Sequence, residues 1–167
     1  SILEQRITEY IDAHKLKGEF NSVAVYFEGN DGLSFGINEQ EQFLGGSLYK
    51  ISILIAYLKE AENSPTILDS KILYDKKLID EVQYFQPLKE IEIGKEYTVR
   101  ELLEYMIIYS DNNAYALLEN NISAQKVDNL FTSLGQNLPS PDKPYSVSMA
   151  EYIKLFHALS NTSNLNK

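Results

Sequence analysis

FLGGSLYKISILIAYL, residues 43–58, decides how this chain is read. Gly45 and Gly46 free the backbone, and from Ser47 onward Ile51, Leu54, Ile55 and Leu58 recur at the three-and-four spacing of a helix. Leu48, Ile53 and Tyr57 carry the apolar surface nearly all round, the mark of a central, buried helix. Lys50 opens that helix, where an ammonium is costly unless it has a task. Positions three apart share a helical face, so Lys50 lies beneath the hydroxyl of Ser47. A serine hydroxyl is a weak nucleophile at neutral pH, and a lysine whose pKa is lowered by desolvation can take its proton. Free N–H groups at the helix start can stabilise a developing oxyanion, and the glycines allow a substrate close approach. The competing reading makes Ser47 a helix cap and Lys50 a surface lysine that follows it.

Upstream, residues 2–14 place Leu3, Ile7, Tyr10 and Ile11 on one stripe of an amphipathic helix. SVAVYFE (22–28) and LSFGIN (33–38) are β-branched and aromatic runs joined by Gly29, Asn30, Asp31 and Gly32, which predicts a β-hairpin. Downstream, residues 63–96 are mixed and charged, and only a short helix or turns are expected there. Thr98 and Glu101 form a capping box before the stripe Val99, Leu102, Leu103, Met106 and Ile107. This helix is expected to stop near Tyr109. A new one follows Ser110, Asp111 and Asn112, and another runs from Ser123 to Gly135. Pro139, Pro141 and Pro144 make residues 136–146 a loop, and Ser148 with Glu151 caps a last helix over 149–159.

Ser110-Asp111-Asn112 admits two readings. Functionally it supplies a hydroxyl for proton relay and an amide for holding a substrate amide, yet Ser, Asp and Asn are also the preferred cap residues at such a junction.

A chain of 167 residues, 44% hydrophobic, is the size of one domain. Its 24 acidic and 15 basic residues give a net charge of -9, which disfavours nucleic acid and anionic lipid as partners. Without cysteine, thiolate chemistry and disulfides are excluded. The longest apolar run, 51–58, is far short of a membrane span, and the opening on Ser1 suggests a processed or trimmed chain, which leaves open a removed export signal or membrane anchor. His14 and His157 stand without ligand partners at metal spacing, so no metal is expected.

FLGGSLYKISILIAYL after a hairpin and YTVRELLEYMIIYSDNNAYALL (97–118), about sixty residues apart as motifs, resemble the corresponding segments of class A β-lactamases and related penicillin-binding serine hydrolases. The resemblance implies an α/β (α+β) fold in which a helical subdomain packs on an antiparallel sheet. Of that sheet only the N-terminal hairpin is expected in this chain. It implies that Ser47 is acylated by a β-lactam or a peptidoglycan peptide, with Lys50 as general base and the Ser47 N–H as half of an oxyanion hole. Ser110 would relay a proton to the leaving nitrogen, Asn112 would bind the substrate's side-chain amide, and Asp111 and Gly46 would shape the site. No cofactor is implied, and the family's work on cell wall and antibiotics implies an extracytoplasmic location.

Two departures accompany the resemblance. The family's Lys-Thr-Gly triplet does not occur in residues 1–167, so the C-terminal strands of the same fold are expected beyond Lys167. The deacylating glutamate of the omega loop has no counterpart in GQNLPSPDKPYSVS (135–148), where Asp142, read as a turn residue, is the sole carboxylate. That absence keeps open a silent cell-wall- or protein-binding domain of the same fold. A third reading, an unrelated helical interaction domain, would make both motifs simple caps.

Overall fold

The computed structural model describes residues 1–80, 86–136 and 144–160. They form two compact units, the first from residues 1–44 and 144–156, the second from 45–136 and 157–160.

In the first unit, α1 (Ile2–Leu16) is opened by a reciprocal capping box between Ser1 and Glu4. Strands β1 (Val25–Glu28) and β2 (Ser34–Ile37) pair antiparallel, Val25 opposite Ile37 and Glu28 opposite Ser34, giving the expected hairpin. Its turn closes through Gly29 N–H to Leu33 O at 2.8 Å, with Gly32 at φ +81°, a conformation that favours glycine. A second pair was not anticipated: β3 (Phe43–Leu44) lies antiparallel to β6 (Ser146–Val147). Two residues per strand carry too little periodicity to be seen in sequence. The Ser148–Glu151 capping box at the head of α6 (Met149–Ser160) is present in both directions.

The second unit is built round α2 (Lys50–Asn63), which contacts α3 (Val99–Ile108), α4 (Asn112–Asn121) and α5 (Ala124–Leu134). Ile53 and Ile55 of α2, Leu102 of α3, Leu118 of α4 and Phe131 of α5 are completely buried. Truncating such an isoleucine to alanine costs about 2–5 kcal/mol through lost transfer energy and the cavity left behind. Tyr57 fits this core because its hydroxyl donates to Leu118 O at 2.9 Å. The Thr98–Glu101 box opens α3, and Gly135, at φ +65°, ends α5.

Residues 63–96 depart from the expectation of a short helix or turns. A 3₁₀ turn over Pro65–Asp69 leads into β4 (Lys71–Tyr74), which pairs antiparallel with β5 (Lys95–Thr98). Both strands are four residues long and bury one tyrosine each, Tyr74 and Tyr97, too short a run to register as a pattern. The chain is thus a mixture of helices and small antiparallel sheets, with strands beyond the hairpin. The expected 136–146 loop and Asp142 fall mostly outside the described residues.

Candidate active site

Ser47 sits in a 3₁₀ turn, Gly46–Tyr49, ahead of the regular α-helix that begins at Lys50. The turn is entered through Gly46 at φ +48°, left-handed backbone that a Cβ would strain although nothing lies within 4 Å to collide with it. Ser47 is not a cap, since Gly45 and Tyr49 hold those positions. Its exposed hydroxyl instead meets the Ser110 hydroxyl, Oγ to Oγ, at 3.2 Å.

Ser110 reaches this place because α3 ends at Ile108 and Ser110 itself adopts φ +56°. That conformation is rare for a residue with a side chain and marks a position held by its surroundings. Asp111 is the true cap of α4: its Oδ1 accepts from Asn113 N and Ala114 N at 2.8 and 3.1 Å. Its other oxygen accepts from Ile91 N at 2.7 Å. With three backbone donors a carboxylate that is 1% exposed is well satisfied. Of the two readings of Ser110-Asp111-Asn112, capping therefore describes Asp111 alone.

Lys50, 5% exposed, donates from Nζ to Ser110 O at 2.7 Å, Ser110 Oγ at 3.0 Å and Asn112 Oδ1 at 2.7 Å. An ammonium has three protons, and three acceptors take them. Burial pushes the Lys50 pKa down to about 8, and the Asp111 carboxylate opposes the shift only in part. The arrangement is an exposed hydroxyl joined through a second hydroxyl to a buried amine that gives up its proton far more easily than an ordinary lysine. Such a chain can carry a proton from Ser47 to Lys50 through Ser110.

The second unit thus brings together Gly46, Ser47, Lys50, Ser110, Asp111 and Asn112. One neighbour escaped the sequence reading: Asn113 Oδ1 accepts from both Leu78 N and Ile79 N at 3.0 Å. The only trace of it in sequence is a fourth polar residue in a row, which reads equally well as solvent-facing helix. Among the described residues no group of three or more His, Cys, Asp or Glu is placed to hold a metal ion. No helix among them is long and apolar enough to cross a membrane.

A family model described as the beta-lactamase enzyme family matches residues 2–167, and the chain belongs to that family. It is 33% identical over 88 residues to Beta-lactamase L2 of Stenotrophomonas maltophilia, a match over 52% of this chain and 28% of that protein. A class A beta-lactamase from Mycobacterium abscessus superposes with a TM-score of 0.70 at 21% identity, over 91% of this chain and 63% of its own. A PBP-A variant, described as an acyl-enzyme complex with penicillin G, gives 0.62 at 22% identity, over 83% and 56%. These likenesses give the fold as that of β-lactamases and penicillin-binding proteins. The chain spans less than two thirds of the length of each of these relatives.

Proposed function

We propose that this chain carries the acylating centre of a serine hydrolase that acts on β-lactams or peptidoglycan-like amides. The observation that carries the reading is the hydroxyl chain from Ser47 through Ser110 to Lys50. Neutral Lys50 takes the Ser110 proton while Ser110 takes that of Ser47, and Ser47 Oγ forms its bond to the substrate carbonyl carbon. The carbonyl electron pair moves to oxygen, where the Ser47 N–H is one donor of the oxyanion hole. When the intermediate collapses the C–N bond breaks, and the proton held on Lys50 returns through Ser110 to the leaving nitrogen. Asn112, its Oδ1 engaged by Lys50, presents its Nδ2 hydrogens to the substrate's side-chain amide.

Residues 135–148 contain no glutamate, so slow deacylation is expected and a long-lived acyl-enzyme follows. The same observation favours a second reading, a silent domain that binds cell-wall material or a protein partner. An extracytoplasmic location belongs with either reading, because cell wall is found there.

The test is intact mass spectrometry of the full-length protein after incubation with benzylpenicillin, beside a Ser47→Ala variant. A persistent adduct on the wild type alone supports the acylating reading. Absence of both adduct and β-lactam loss would turn the assignment to the silent domain.

A further inference from the structure

Residues 75–80 and 86–94 lie between the two strands of the β4–β5 ladder, and Gly94 N–H donates to Tyr74 O at 2.7 Å at its end. Their described parts are fastened to the start of α4 by backbone donors: Leu78 and Ile79 to Asn113, Ile91 to Asp111. Residues 111 and 113 flank Asn112, so the fastened segment runs beside the residue assigned to the substrate's side-chain amide. Lys89 lies two residues before the Ile91 anchor. Its ammonium stands over the ring of Tyr109, 5.2 Å from the centroid. Tyr109 immediately precedes Ser110, and consecutive Cα atoms are about 3.8 Å apart.

An aromatic face holds an ammonium in place without cancelling its charge. The nearby Glu92 carboxylate accepts from Lys95 at 2.8 Å. Among the described residues no carboxylate pairs with Lys89. Lys50 has committed its three protons within the site. With a net charge of -9 the chain repels anions at long range, and a local cation is what admits one.

We infer that Lys89 is a specificity-determining residue that reads a carboxylate on the acyl side chain of the substrate, an inference resting on the acyl-enzyme reading above. The anchors at residues 78, 79 and 91 lower the ordering cost of the segment that bears it, and Tyr109 restricts the side chain itself.

The test compares benzylpenicillin with carbenicillin, which differ by one carboxylate on the acyl side chain. Second-order acylation rate constants are measured for the full-length wild type, Lys89→Met and Lys89→Glu. The carbenicillin-to-benzylpenicillin ratio is expected to fall roughly three- to tenfold in Lys89→Met and further in Lys89→Glu, with the wild-type preference shrinking as salt is added. Acylation by both penicillins with the same ratio in all three proteins would overturn this inference alone. Acylation of the wild type by benzylpenicillin but not by carbenicillin would also overturn this inference alone, and failure of both penicillins would remove the acyl-enzyme reading with it.

Discussion

Lys50 Nζ and Asn112 Oδ1 are 2.7 Å apart, and because an ammonium only donates, the contact fixes which end of the Asn112 amide faces the lysine. Asn112→Asp keeps an acceptor there but adds a negative charge and removes the Nδ2 donors. The charge favours protonated Lys50, which is the inactive form of a base. The limb of the acylation pH profile near 8 should therefore move up by roughly one unit or more. An unmoved limb in stopped-flow acylation would separate Lys50 from proton removal.

Ser110 is held at φ +56°. Glycine adopts that backbone freely, so Ser110→Gly should be more stable than Ser110→Ala by about 1 kcal/mol, both variants having lost the same hydroxyl. Either variant should acylate slower by roughly 10²-fold or more, the usual worth of a positioned proton carrier. Thermal unfolding reads the first difference and adduct kinetics the second.

Asp111→Asn isolates the tie to Ile91. The remaining carbonyl can still cap α4, but the new amide meets the Ile91 N–H donor to donor where 2.7 Å now separates donor from acceptor. A buried unpaired N–H should cost about 1–3 kcal/mol in urea unfolding. Hydrogen exchange should speed up at Ile91 more than at Leu78 and Ile79, whose partner is Asn113. Equal loss of protection at all three amides would mean that the segment detaches as a whole.

The Lys50 pKa also dictates how stability varies with pH. Below about 8 the lysine is protonated both folded and unfolded, and its desolvation penalty is constant. Between about 8 and about 10 the unfolded chain binds the proton more than the folded one, so stability rises with pH, by at most about 3 kcal/mol. Further up the sign reverses, because burial raises the pKa values of Tyr57, Tyr115 and Tyr49, and the unfolded tyrosines ionise first. Lys50→Met should lack the rise. The measurement is the difference in unfolding free energy between wild type and variant from pH 7 to 10, and a flat difference would contradict the depressed pKa.

What the sequence disclosed follows from how strongly each feature is written in it. The α2 stripe, the Thr98–Glu101 and Ser148–Glu151 boxes and the Gly29–Gly32 turn rest on local rules, and each is found where those rules place it. β4, β5, β3 and β6 are two to four residues long and owe their existence to partners distant in sequence, which periodicity does not register. At the site, the grouping of Ser47, Lys50, Ser110 and Asn112 was legible through paired motifs. The route between them was not: spacing on a regular helix put Lys50 directly beneath Ser47, whereas the 3₁₀ turn and the left-handed Ser110 insert a second hydroxyl into the path. The role of Asn113 depends on amides more than thirty residues away, beyond any local signal.

The grip of Asp111 and Asn113 on residues 78, 79 and 91 is made entirely through main-chain amides. It therefore does not consult the side chains of the segment it holds. Neighbouring positions such as Lys89 can be exchanged by mutation without loosening the attachment, so the segment is free to drift in chemistry while Asp111 and Asn113 keep their hold on it. Under the proposed function, substrate preference can then diverge between descendants of one ancestor while Ser47, Lys50 and Ser110 stay the same.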